Sequence, residues 1–373
     1  MKAVTFSLIK VEGKPKPVSL MIDGVKLGDK PHVLSDEILQ QLQASHFGKH
    51  IQEVRDLEPK PYHGQDLSQK TLLISRTGGF GDILFITPVI RELRRRFASC
   101  RIEFACPQSY QMIFSGNPDV QRMHGLPFPL EAYERADYHL EFRGTIEASS
   151  DPDLHAVDLF AQHAGIELPP TAKVPIYEAS PARVSAARIR LIQFGVPGNL
   201  PWIAVQAKAS SPIRSYPESL TTKLLKKLVK RGYVALVFGT KGNFPKGARM
   251  RGVVDLTGRM TMSDSVAAMA CCEALIGPDS SLVHFAAAIG LPTVALYGPF
   301  PGSVRTRYYT RCITLEAKAP CAPCFIHGHK PCPKALAKNQ EWSPCFESLP
   351  PSLVLNALSE ALARRGAKKR MSA

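Results

Sequence analysis

From residue 71 to residue 297 the chain switches repeatedly between two hydrophobic periods, and this limits its fold more than any other feature. Apolar runs of strand length stand at TLLISR (71–76), RIEFACP, PWIAVQA, YVALVFG, EALIGPD and PTVALYG. Between them lie helix-like stretches. One runs from about Asp82 to Phe97, with Ile83, Ile86, Ile90, Leu93 and Phe97 at helical spacing. The others are LTTKLLKKLVKRG, ending at Gly232; SDSVAAMACC, with Ser263 as candidate cap; and SSLVHFAAAIG. Strands alternating with helices imply a parallel sheet with crossover helices, an α/β fold. The pattern runs twice, and its junction falls near 175–200, where Pro175, Pro181, Pro197 and Pro201 collect.

The flanks read differently. Residues 1–66 contain the strand-like pieces VTFSLIKV and PVSLMIDGVKL, the latter with a turn at Asp23-Gly24. A helix, SDEILQQLQASHF, follows with Ser35 as N-cap. The expected organisation is a β-rich module over 1–66 and two α/β domains over 67–180 and 181–310. A Cys- and Pro-rich segment over 311–349 and a closing helix with a basic tail over 350–373 complete it. That helix should start at its prolines and end at Gly366.

Charge narrows the partners. The formal net charge is +15, which favours anionic ligands: nucleic acid, acidic membrane surfaces or phosphorylated small molecules. No nucleic-acid module signature is present, so no nucleic-acid partner is expected. The basic clusters Arg94–Arg96, Lys223–Arg231 and Arg364–Arg370 read most simply as solvated helix faces. No apolar run reaches the length of about 18 residues that a membrane span needs. The first residues lack a long apolar core with a cleavage site, so the expected location is the cytoplasm.

Two loops carry chemistry. Thr77, Gly78, Gly79, Phe80, Gly81 and Asp82 join a buried strand to a helix. Loops at the carboxyl ends of parallel strands are where open α/β sheets bind ligands. The glycines permit close approach of a ligand, and Asp82, at the helix start, is placed to take a proton from a hydroxyl. Helix capping explains an Asp there equally well. The second loop, Gly277, Pro278, Asp279, Ser280 and Ser281, offers helix-start amides and hydroxyls suited to a diphosphate, with His284 one turn on. Its alternative is a capped helix with a structural histidine. A dinucleotide fingerprint at the first loop fails. Leu84 stands where its third Gly or Ala should be, and no Tyr is followed four residues on by Lys.

Together the loops resemble the two motifs of glycosyltransferase family 9, the ADP-heptose heptosyltransferases of lipopolysaccharide assembly. SRTGGFGDILFITPVIRELRRRF resembles the first, and VVDLTGRMTMSDSVAAMACCEALIGPDSSLVHFAAAIGLPTVALYGP the donor motif. The resemblance spans roughly residues 70–310. It implies a GT-B fold, two Rossmann-like domains facing across a cleft, and an inverting displacement without a catalytic metal. Asp82 matches the catalytic Asp. Arg214 matches a basic residue that meets the donor phosphates, and Asp279, Ser280, Ser281 and His284 match the donor loop. Two positions depart from the pattern. Ser281 replaces the usual Gly, and GTKGNFP lacks the Glu that commonly holds the ribose, leaving Thr240 and Asn243 as the polar residues there. The implied partners are a nucleotide-sugar donor and a protein or glycolipid acceptor, with room for peripheral membrane contact and a homo-oligomer.

Five of the nine cysteines lie between Cys312 and Cys345. Cys321, Cys324, Cys332 and Cys345 offer four thiolates for a tetrahedral zinc or iron site, with His327 and His329 as substitutes. Reduced free thiols are the alternative. Protein-modifying heptosyltransferases acting on autotransporter adhesins resemble this chain in an N-terminal β-rich module and a four-Cys iron finger, and they form rings. That likeness implies a structural metal and leaves Cys312 spare. Two other readings stay open: a metal-stapled binding or assembly protein on a degenerate sugar-transferase scaffold, and an NAD-dependent epimerase or dehydrogenase.

Overall fold

The structure is a computed structural model. It describes all residues except 8–19, 23, 28–29, 207, 327, 329 and 372–373, with 365–371 described as backbone only. The chain forms two compact units, Met1–Pro152 with Ala156–Lys173, and Asp153–His155 with Val174–Ala373.

The first unit is built on four parallel strands in the order Tyr138–Glu141, Thr71–Ser75, Arg101–Ala105, Arg122–His124. Leu72, Leu73 and Ile74 are all fully buried, as expected of a strand covered on both faces. A separate antiparallel sheet runs Ile51–Asp56, Lys2–Phe6, His32–Leu34, Phe128–Pro129. The N-terminal strands are thus completed by a strand from the middle of the unit, with Val33 opposite Phe128. Leu20–Ile22 and Val25–Leu27 form the hairpin; Gly24 has φ +83°, while Asp23 lies outside the described residues. Much of VTFSLIKV and the start of PVSLMIDGVKL also lie outside them.

The second unit holds six parallel strands in the order Val253–Asp255, Val234–Phe238, Trp202–Gln206, Ala274–Pro278, Thr293–Tyr297, Cys312–Glu316. In chain order this is third, second, first, fourth, fifth, sixth, the doubly wound Rossmann arrangement. Its connections reverse direction between Trp202–Gln206 and Ala274–Pro278. The helices Glu218–Lys230 and Pro351–Met371 share one core with these strands, through Leu224, Leu225 and Leu228 and through Val354, Leu355 and Leu358. Among the described residues no helix is long and apolar enough to cross a membrane.

Several sequence expectations need correction. The stretch from Asp82 to Phe97 is two helices, Phe80–Leu84 and Thr87–Arg96. Pro88 has no N–H to donate back to Leu84; the Thr87 hydroxyl donates to that carbonyl instead, at 2.7 Å, and a new helix starts with Pro88 in its first turn. Thr261, not Ser263, caps Met262–Ala270, its hydroxyl accepting from the Asp264 N–H at 3.2 Å. Pro181 begins the helix Pro181–Gln193 within the expected junction. The final helix runs through Gly366 to Met371, because one helix-interior glycine costs only about 1 kcal/mol. Ile51–Asp56 and the edge strands Val253–Asp255 and Cys312–Glu316 carry no strong apolar run, and the sequence did not announce them.

Candidate functional site

In the first unit, Asp82 is half-buried in the short helix Phe80–Leu84 and its Oδ2 accepts the Gly79 N–H at 2.8 Å. One carboxylate oxygen therefore does cap the helix. Gly78 makes this possible. It has φ +121°, and a Cβ there would stand 2.7 Å from Asp82 Oδ2. The loop is anchored at both ends. Phe80 packs on Tyr110 with ring centroids 4.4 Å apart. Before Thr77, the buried Arg76 donates to the Phe142 carbonyl at 2.6 Å and pairs with both Glu147 oxygens at 3.1 and 3.3 Å. Gly78 and Gly79 are exposed, and Thr77 and Gly81 half-buried.

In the second unit the carboxyl ends of all six parallel strands lie at one edge of the sheet. At the reversal point, Arg214 Nη1 stands 3.5 Å from Asp279 Oδ2, and its Nη2 donates to Ser210 Oγ at 2.7 Å. The Ser280 hydroxyl donates to Gln206 Oε1, bridging the two strands that flank that point. Ser281 opens the helix Ser281–Ala288, whose first amides face the strand ends. Gly277 is the fourth residue of Ala274–Pro278 rather than part of the loop, and a Cβ there would meet only ordinary contacts.

His284 sits beneath this loop. It is 5% exposed and its Nδ1 is 2.8 Å from the Tyr309 hydroxyl. Burial, then the nearby charges of His155, Arg305 and Arg214, push its pKa well below the ordinary histidine value. Burial likewise raises that of Tyr309, so both groups stay neutral and support the loop from below.

Thr240 and Asn243 form a turn after Val234–Phe238, the Asn243 N–H donating to the Thr240 carbonyl at 3.1 Å. This turn borders an open pocket of about 750 Å³ lined by Lys241, Lys246, Arg249, Arg259 and Asp255. Asp255 accepts from the Thr257 N–H and hydroxyl at 3.0 and 2.7 Å. An acid therefore does stand at this edge, on the neighbouring strand. It was overlooked because only the tertiary pairing of Val237 with Asp255 brings it there. Gln206 was missed too; its signal is a polar residue closing an apolar strand.

Cys321, Cys324, Cys332 and Cys345 line one cavity of about 350 Å³, together with Lys318, Lys334 and Lys338. Burial, then the neighbouring Cys332, Cys321 and Cys324, pushes the Cys345 thiol up to about 12. Four soft donors in one cavity rimmed by cations suit a thiolate-held metal. Among the described residues, however, no three metal-binding side chains stand at joint ligating spacing; His327 and His329 lie outside the described set. Cys312 is elsewhere, in the strand Cys312–Glu316, its Sγ 3.8 Å from Thr314 Oγ1.

The two units each carry a parallel sheet with polar loops at its strand ends, a pair of Rossmann-like domains. Comparison with known proteins agrees. The family glycosyltransferase family 9 (heptosyltransferase) matches residues 150–334. Lipooligosaccharide heptosyltransferase 2 of Haemophilus influenzae is 33% identical over 97 residues, covering 24% of this chain and 28% of that protein. Lipopolysaccharide heptosyltransferase 1 of Pseudomonas aeruginosa is 26% identical over 161 residues, 40% of this chain and 44% of that protein. The match thus spans less than half the length of these curated relatives. Among solved structures, a glycosyl transferase of family 9 from Veillonella parvula superposes with TM-score 0.65 at 17% identity, covering 81% of this chain and all of that one. The Escherichia coli iron-containing dodecameric glycosyltransferase TibC gives 0.60 at 15%, covering 85% and 80%. The fold is GT-B, and residues 150–334 are similar to glycosyltransferase family 9 (heptosyltransferase).

Proposed function

We propose that the protein is an inverting glycosyltransferase that moves a sugar, heptose by likeness to its relatives, from a nucleoside diphosphate donor to a hydroxyl. ADP-heptose is the donor the likeness favours, and the acceptor is a protein or a lipopolysaccharide core. The single observation that carries this reading is the cluster of Arg214, Asp279 and Ser280 at the strand-order reversal of a Rossmann sheet, within the segment that matches family 9.

The chemistry follows from charge. Asp82 takes the acceptor proton as its oxygen attacks the anomeric carbon. The bond to the diphosphate breaks on the opposite face, inverting that carbon. Negative charge then grows on the leaving diphosphate. Arg214, the first amides of Ser281–Ala288 and the Ser281 hydroxyl meet it, which is electrostatic stabilisation by groups already in place, while Ser280, bonded to Gln206, steadies the donor loop. No catalytic metal is needed in this scheme. Thr240, Asn243 and Asp255 border the pocket that takes the nucleoside, and Thr77, Gly78, Gly79 and Gly81 form the acceptor-side loop. By function the chain divides into residues 1–66, 67–180 on the acceptor side, 181–310 on the donor side, 311–349 and 350–373.

Cys321, Cys324, Cys332 and Cys345 would hold a structural iron or zinc, which when bound staples a segment poor in apolar residues. Elemental analysis of purified protein tests this; metal below about 0.3 per chain rejects it. For the reaction, purified protein is offered a panel of nucleoside diphosphate sugars with protein and lipopolysaccharide-core acceptors. Release of ADP with sugar transfer supports the proposal. Folded protein that neither binds ADP nor turns over any donor favours the non-catalytic scaffold.

A further inference from the structure

The turn that carries Arg214 is held from outside by the Cys-rich segment. Two buried hydroxyls make the ties. Ser211, 3% exposed, donates to the Gly328 carbonyl at 2.6 Å; Ser343, 1% exposed, donates to the Ile213 carbonyl at 2.9 Å. Ile213 itself lines the four-cysteine cavity. These bonds join residues 117 and 130 positions apart in the chain, one at Ser211 just before the turn Pro212–Arg214 and one at Ile213 within it. Within the loop, the Ser215 hydroxyl accepts the Ala209 N–H and donates to the Ser211 carbonyl, each at 3.0 Å. The backbone before and after Ile213 is thereby fixed, and Arg214 leaves it as an exposed-side cation aimed at Asp279.

We propose that Ser211 and Ser343 are positioning residues: they tie the Arg214 turn to the Cys-rich segment, so that this segment sets donor affinity through Arg214. The proposal rests on the reading of Arg214 as a diphosphate ligand. Each serine is a neutral hydrogen-bond donor to a backbone carbonyl, and removing either takes away one of the turn's two ties to the Cys-rich segment. The guanidinium then loses its preset direction and must be ordered on binding.

Calorimetric titration with ADP tests this on the full chain, with thermal melting and donor kinetics alongside. Ser343→Ala and Ser211→Ala should each weaken ADP binding about 5- to 10-fold, the worth of one buried neutral hydrogen bond. Donor KM should rise and kcat should fall with it, because Arg214 also meets the charge that grows on the leaving diphosphate. In an Arg214→Ala background neither substitution should weaken ADP binding further, since both act through that side chain. If Arg214→Ala retains ADP affinity, the diphosphate reading fails. If Arg214→Ala loses affinity while both serine variants bind ADP like the parent, with only melting temperature reduced, the serines are purely structural and the inference is overturned. Should Ser343→Ala not fold, Ser211→Ala decides alone.

Discussion

Arg214 is already held by an anion: its Nη1 lies 3.5 Å from Asp279 Oδ2, and Asp279 is only 4% exposed. The pair orients the cation before any ligand arrives. Arg214 should therefore serve two purposes, neutralising a buried carboxylate and meeting a donor phosphate. Arg214→Ala should lower donor affinity about 10- to 100-fold, the range for a hydrogen bond to a charged group. It should also cost about 1–3 kcal/mol of stability, reduced from a fully buried case because Arg214 is 27% exposed. Arg214→Lys keeps the charge but not the fork, and calorimetry should find only part of the affinity restored.

Asp82 is expected to matter for transfer and not for donor binding. Asp82→Asn should reduce turnover about 100- to 10,000-fold, the usual contribution of a general base, with ADP affinity unchanged. A loss of ADP binding in this variant would mark the Gly79 cap as its main role.

Gly78 supports Asp82 by having no side chain. Gly78→Ala adds a Cβ within 2.7 Å of Asp82 Oδ2 at φ +121°. The left-handed backbone alone should cost about 1–2 kcal/mol, and the displaced carboxylate should lower turnover further. Denaturant unfolding and single-donor kinetics separate the two effects.

Stability should fall with acid through His139. This buried side chain lies 2.8 Å from the Ser75 hydroxyl, and burial, then the N-terminal charge, holds its pKa at about 4 against an ordinary 6.5. The folded chain resists a proton that the unfolded chain accepts. Its contribution is present above pH 6.5 and is lost as pH falls towards 4. His139→Gln should flatten that limb in denaturation curves taken across the window; an unchanged slope would move the effect to another group.

The cysteines should divide by position. Replacing Cys321, Cys324, Cys332 or Cys345 with Ser should lower metal content and melting temperature together. Cys312→Ser should leave metal content unchanged, since Cys312 lies outside the four-cysteine cavity.

The periodicity of the chain determined a good deal by itself. Short continuous apolar runs such as 234–238, bounded by turn residues, fit strands buried on both faces, and their alternation with helices points to a parallel α/β fold. Glycine, Asp and Ser at the strand ends marked both loops, because those positions need backbone freedom and hydrogen-bonding groups. What the sequence could not express is which strands adjoin. The order that sets Trp202–Gln206 beside Ala274–Pro278 brings Gln206 to Ser280 and Arg214 to Asp279, and it brings Asp255 to the pocket whose acid GTKGNFP lacked. The ties from Ser211 and Ser343 are equally tertiary, as each links a hydroxyl to a carbonyl more than a hundred residues away. Local pattern records what one segment can become. Strand order and long-range hydrogen bonds depend on how segments pack, and that choice placed the residues of the second loop around one charge.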